Sequence, residues 1–139
     1  MERIKKCILT VLIVFLALIT PVKADEVSSI PPTVPVNVVF NDCTKTYNVS
    51  AEKLYYLTLN AITANRFETK ELQSKMGYGL FKAAGKEFLA TVAYYSPSKS
   101  IIKITPANNN YYFAPGIVFN IFKYIDLYVD EPINQIQKT

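Results

Sequence analysis

Between Arg66 and Thr105 four strand-like runs follow one another with breaks too short for anything but hairpins, and this spacing constrains the fold more than any other feature of the chain. The runs are Arg66–Ser74, Tyr78–Ala83, Lys86–Tyr95 and Ser100–Thr105, and the breaks are Lys75-Met76-Gly77, Ala84-Gly85 and Ser96-Pro97-Ser98-Lys99. A parallel connection needs a dozen residues or more, so neighbouring runs must pair antiparallel. In the third run Phe88, Ala90, Val92 and Tyr94 share one face, and Leu89, Thr91, Ala93 and Tyr95 the other. A three-residue loop at Pro97–Lys99 would set Ile102 opposite Tyr94 and Ile104 opposite Val92, which keeps the apolar residues on the Phe88 face.

Two helices flank these hairpins. Asn48 or Ser50 can cap the first, Glu52 sits in its first turn, and Ala51, Leu54, Leu57, Ala61 and Ile62 form one stripe at 100° per residue. Asn65 can take the left-handed conformation that ends it. The second is predicted over residues 115–128, with Pro115 at its start and Ile117, Ile121, Tyr124, Ile125 and Tyr128 at helical spacing. Ahead of both, Val34, Val36, Val38 and Phe40 alternate with Pro35, Asn37 and Val39 as a strand would, Pro35 fitting its first residue or an edge.

The order β-α-β-β-β-β-α predicts an α+β fold: an antiparallel sheet of about five strands with both helices on one face, the face carrying Phe88. This order over residues 34–128 resembles the repeat of the TATA-box-binding protein, and small domains of bacterial envelope lipoproteins from the outer-membrane assembly machinery. The resemblance lies in element order and carries no residue motif. It implies a sheet-and-helix platform rather than an activity.

The N-terminus reads as a cleavable signal peptide over residues 1–24: basic Met1–Lys6, an uncharged apolar run from Cys7 to Val22, and a small residue, Ala24, before Asp25. The apolar run has 16 residues, short of the roughly 20 that span a bilayer. Cleavage between Ala24 and Asp25 leaves 115 residues, a single-domain length, and retention of the leader would be the route to a membrane. Cys7 lies inside the apolar run, where it cannot be a lipidated first residue. The leader holds four of the 15 basic residues and one of the 11 acidic ones, leaving 11 basic against 10 acidic. A nearly neutral domain lacks the basic face of a nucleic-acid binder, so no nucleic-acid partner is expected and the DNA role of the resembling family does not carry over. Cys43 stays alone, either as a buried apolar residue or as a free thiol. Residues 25–33, with Ser28, Ser29, Pro31 and Pro32, read as a disordered lead-in to a domain over 34–129, and residues 130–139 as a flexible tail.

The chain has no histidine, which removes Ser-His-Asp and Cys-His catalysis and histidine-based zinc sites in their usual forms. No metal or other cofactor is expected. Glu68, Glu71 and Glu87 are read as solvated strand charges alternating with Lys70 and Lys86, which also discourage edge pairing. Gly77 and Gly79 have no helix after them and are read as hairpin glycines, not a phosphate loop. Asn48-Val49-Ser50 matches the glycan acceptor pattern but is better explained as a helix cap.

Tyrosine offers rigid amphipathic contact area and asparagine adaptable hydrogen bonds. Asn109, Asn110, Tyr111 and Tyr112, within Asn108–Phe113, are therefore the candidate recognition loop, against a reading in which Tyr112 and Phe113 fold back as a plug. Tyr95, with Leu89 and Ala93 on the sheet face away from the helices, is the second candidate. These features lead to the expectation of an exported, periplasmic or extracellular, non-enzymatic domain that holds a protein or peptide partner. The alternatives are a secreted enzyme using carboxylates or tyrosine, which requires two of Glu68, Glu71 and Glu87 in one pocket within about 10 Å, and an inhibitor-type partner of a secreted enzyme with Tyr111 or Tyr112 as its plug. The cleavage reading predicts that intact mass and N-terminal sequencing of the protein accumulated by cells will find Asp25 as the first residue; a chain still beginning at Met1 would contradict it.

Overall fold

The computed structural model describes residues 33–133. The leader, the lead-in up to residue 32 and the tail from residue 134 lie outside the described residues. The elements, in chain order, are β1 (Val36–Asn37), a 3-10 turn (Phe40–Cys43), β2 (Thr44–Tyr47), α1 (Ala51–Ala64), β3 (Glu68–Gln73), β4 (Tyr78–Ala83), β5 (Lys86–Ser96), β6 (Lys99–Pro106), β7 (Tyr112–Phe113) and α2 (Gly116–Tyr128). Five strands form an antiparallel sheet in the order β2-β6-β5-β4-β3, and β1 pairs with β7 in a separate two-stranded ribbon. The protein is α+β with both helices on one face of the sheet, in the element order expected from the hairpin spacing.

The first strand lies elsewhere than the alternating valines suggested. Only Val36 and Asn37 of that run are strand, and they pair with Phe113 and Tyr112 outside the main sheet. The sheet edge is instead Thr44-Lys45-Thr46-Tyr47, paired with β6 from Lys103 to Ser100. Its short mixed pattern carries little local signal, and the long partner β6 is what makes it a strand. Asn37 and Val39 are exposed and Val36 and Val38 half-buried, so the alternation was real but served a ribbon.

The helix ends follow from their caps. Ser50, not Asn48, caps α1, its Oγ accepting from the Lys53 amide at 3.2 Å. Asn65 has φ −84°, and the left-handed residue is Arg66 (φ 59°); the Asn65 side chain donates instead to the Ala61 carbonyl at 2.8 Å. The stripe expected on α1 is buried at Leu54, Leu57, Ala61 and Ile62, joined by Tyr55 and Thr58. Thr58 is tolerated there because its hydroxyl donates to the Leu54 carbonyl at 2.7 Å.

On β5, Phe88, Ala90 and Val92 are buried under the helices, facing Phe81 and Ala83 of β4 and Ile102 and Ile104 of β6. The observed register is Val92 opposite Ile102 and Tyr94 opposite Ser100, two residues away from the one expected. The turn is therefore Pro97-Ser98, and the extra residue is absorbed in a register break between Tyr94 and Ser96. A slip of two leaves every side chain on its face, so the expected core survives the shift. Four rings run under α1 across this sheet: Phe67 stacks on Phe81 (centroids 5.6 Å), Phe81 on Phe88 (5.6 Å), and Phe113 meets Phe88 edge-on at 5.1 Å. Each such pair adds about 0.5–1.5 kcal/mol beyond the burial itself.

α2 packs its Ile117, Val118, Ile121, Phe122 and Ile125 into the same core. It is fastened to the edge strand by Tyr47, whose hydroxyl donates to Asp126 Oδ1 at 2.9 Å, and by Lys45, whose Nζ is 2.8 Å from the same carboxylate. Among the described residues no helix is long and apolar enough to cross a membrane.

Of the two glycines read as hairpin residues, Gly79 lies inside β4, where an added Cβ would stand 3.3 Å from the end of Leu72. Gly77 (φ +70°) is in the turn, and its Cβ would stand 2.7 Å from the backbone oxygen of Val92. Gly77→Ala should therefore cost more than about 1 kcal/mol, through both strain and clash. Gly85→Ala (φ +75°, nothing within 4 Å) carries strain alone. Urea unfolding should rank the two variants in that order; equal losses would show that the Val92 contact is unimportant.

Candidate functional site

The residues singled out from the sequence fall at opposite ends of β5. Ala107 bonds to Glu87 near the strand's start, and the Asn108–Phe113 loop follows from there. Tyr95 lies eight residues further along, about 26 Å at strand rise. The structure does not bring them into one site.

In the loop the asparagines are engaged with the loop's own backbone. Asn108 Oδ1 accepts from the Asn110 amide at 3.0 Å and Asn110 Oδ1 from the Tyr112 amide at 3.1 Å, while Asn109 turns the chain at φ 59°. The Lys86 ammonium donates to the carbonyls of Asn110 and Tyr112 and lies 5.8 Å from the centre of the Phe113 ring. Phe113 is buried as the plug reading expected, whereas Tyr112 is exposed. Tyr111 is half-buried, edge-on to Phe40 at 6.3 Å. The loop is thus pre-ordered, with Asn109 and Tyr112 as its outward groups.

Tyr95 sits in the register break of β5, exposed, with the Lys99 ammonium 5.0 Å from its ring centre. The sheet face away from the helices is mixed. Leu89 pairs with Leu80 and Thr105, Thr91 with Tyr78 and Lys103, and Glu87 with Lys82. Leu89 and Ala93 are half-buried among these neighbours. The three glutamates do not line a common hollow among those found on the described surface. Glu68 pairs with Lys70 at 2.9 Å, which holds its carboxyl below the usual range, and Glu71 accepts from the Tyr78 hydroxyl at 2.9 Å. Among the described residues no group of three His, Cys, Asp or Glu could hold a metal.

A concavity lies elsewhere on the domain. A groove of about 450 Å³ opens at the start of α1, between that helix and the β3–β4 turn. Ala51, Glu52, Tyr55 and Tyr56 form its helix wall, Ser74 to Gly77 its turn wall, and Val92 and Tyr94 its floor. Tyr94 has the same parity as Phe88 and was expected under the helices, but it lies beyond their cover and is 67% exposed; Met76 is 71% exposed. Gly77 lets the turn wall approach, its carbonyl accepting from the Val92 amide at 2.7 Å. Tyr55 donates to the Tyr78 carbonyl at 3.1 Å, fixing one ring of the wall, and burial pushes its phenol up. Sequence reasoning missed this groove. The one available signal was Met76 beside Gly77 in a hairpin turn, an apolar residue where turns are normally polar.

No protein-family model matches the chain, and no curated protein matches it either.

Cys43, the lone cysteine of the domain, is fully buried in the hydrophobic core. Burial, with the Asp42 carboxylate adding to it, pushes the thiol up to about 11. A raised thiol pKa disfavours the thiolate in the folded state, so this contribution to stability is whole below about pH 9 and is lost as pH rises towards 11. At pH 8 alkylation of the native protein should run at least about a hundredfold slower than that of the urea-unfolded chain. Equal rates, read by mass spectrometry, would place the thiol at the surface.

Proposed function

We propose that the chain is an exported, non-enzymatic domain of the bacterial cell envelope that binds a peptide or an extended protein segment in the groove between α1 and the β3–β4 turn. One observation carries this reading: Tyr94 and Met76 stand 67% and 71% exposed in a concave site whose remaining walls, Tyr55, Val92 and Gly77, are fixed by core packing and backbone bonds. Large exposed apolar groups gathered in a preformed groove lower the ordering cost of binding, because the protein side loses little freedom. Tyrosine and methionine suit a peptide: the ring supplies rigid contact and a polar tip, the thioether an adaptable filler. Glu52 and Lys75 at the rim offer one charge of each sign to orient the ligand.

Strand addition at the sheet edge is the less favourable mode. Of the sheet's two edges, β3 carries Glu68, Lys70 and Glu71 and a register shift between Thr69 and Glu71, and β2 is only four residues long with its Lys45 held on Asp126, features that discourage further pairing. Export rests on the leader pattern of residues 1–24. The five-stranded sheet and element order support the resemblance to the TATA-box-binding-protein repeat and to small envelope domains, and with it an assembly role rather than a catalytic one. Engagement of Glu68 and Glu71 by Lys70 and Tyr78 supports the non-enzymatic reading.

Selection of peptides from a random library against the purified chain should yield binders that Tyr94→Ala weakens by about 1–3 kcal/mol, a range typical of a groove's aromatic anchor. Tyr112→Ala, in the loop at the far end of β5, should leave them unchanged. Isothermal titration decides the matter, and binding that depends on Tyr112 and not on Tyr94 would move the site to the loop.

A further inference from the structure

We propose that the groove's occupant is the Pro31–Pro35 segment of a second copy of this chain, bound as a polyproline II helix; this rests on the reading of the groove as a peptide site. The sequence Pro31-Pro32-Thr33-Val34-Pro35 contains a Pro-x-x-Pro spacing. Three prolines in five residues fix φ near the polyproline value and remove amide donors, so the segment is ill suited to join a strand edge. A polyproline helix has no internal hydrogen bonds: its carbonyls point outward and its rings present flat apolar ridges, which aromatic-lined grooves receive. The groove has both requirements. Tyr56, Tyr94, Met76 and Val92 supply apolar and ring surface, and Lys75 and Ser74 supply donors at the turn wall.

The segment cannot readily serve the groove of its own copy. Val36, next to Pro35, is paired with Phe113, and Phe113 packs on Phe88. The groove lies at Val92 and Tyr94, four to six residues further along β5, or about 13–20 Å. As polyproline II the far end, Pro31, reaches about 15 Å from Val36 while Pro35 stays bonded to it, so the five residues cannot lie in that groove together. Thr33, Val34 and Pro35 are exposed, and none of them lines the groove. Each copy therefore offers a segment at one end of β5 and a receiving groove at the other, which makes the contact head-to-tail. Such contacts close into a ring or continue as an open chain, depending on the rotation between copies.

The test uses the full-length chain in the form cells accumulate, followed by sedimentation over rising concentration, with a synthetic peptide of residues 29–37 as probe. The expected result is concentration-dependent association that the peptide competes away. Tyr94→Ala in the groove, or Pro32→Ala with Pro35→Ala in the segment, should each weaken association about tenfold or more. The proline changes should leave Tm unaltered, since Pro35 is exposed. A chain that stays monomeric and ignores the peptide overturns the proposal, as does a peptide that binds Tyr94→Ala undiminished or binds equally with its prolines replaced. If library-selected peptides bind through Tyr94 while the proline peptide does not, the self-recognition falls and the peptide-binding reading stands. If neither binds, both fall.

Discussion

The row of rings Phe67, Phe81, Phe88 and Phe113 is the contact on which the rest of the structure hangs. Phe81 and Phe88 are completely buried and sit opposite one another on β4 and β5, so their stacking fixes the register of the central hairpin. Phe67 brings in the start of β3 directly after the left-handed turn at Arg66. Phe113 brings in the ribbon, and with it the loop that Lys86 clamps. Full burial of a phenylalanine, as at Phe81 and Phe88, contributes about 1.5–3 kcal/mol, and the row adds this packing to the β3–β4 ladder and to the Lys86 contacts of the loop.

A mismatch in length between β5 and its cover produces the groove. The strand runs to Ser96, but α1 starts only after the Ser50 cap, and its first turns only wall the groove floored by Val92 and Tyr94, leaving Tyr94 exposed. The turn from Ser74 to Gly77 closes the other side because Gly77 can sit at positive φ against the Val92 carbonyl. Tyr94 is thereby left on a surface that is apolar by strand parity but has no helix above it. An exposed aromatic in that position is a consequence of architecture, and its flanking walls gather it into a concave surface.

Electrostatics play a subordinate and local part. Asp126 takes the Tyr47 hydroxyl and the Lys45 ammonium together, joining α2 to an edge strand of four residues. Burial, and then the carboxylate it donates to, push the Tyr47 phenol well above its ordinary value. Lys45 and Asp126 are both substantially exposed, so the ion pair itself adds at most about 1 kcal/mol. Its role is to orient the helix end once hydrophobic packing has placed it.

The hairpin stack, the Ser50 cap and the buried stripe of α1 were legible in the residues, because alternation, a serine before a helical run and short breaks are local properties of the chain, whereas the left-handed end of α1 falls at Arg66 and not at Asn65. The edge strand Thr44–Tyr47 was not, since a short mixed segment becomes a strand only when β6 offers it a ladder. The register of β5 on β6 was legible in parity but not in phase: the two-residue turn and the break at Tyr94–Ser96 satisfy the same face pattern as a longer loop. Tyr95 and the asparagine loop stood out for composition, yet the asparagines bond to their own backbone and the two features lie at opposite ends of one strand. Tyr94 was hidden because its parity said core. By itself the sequence determined which residues face the helices; only the tertiary structure decided how far the helices reach, since coverage depends on where α1 begins over a longer strand, and no local pattern encodes that.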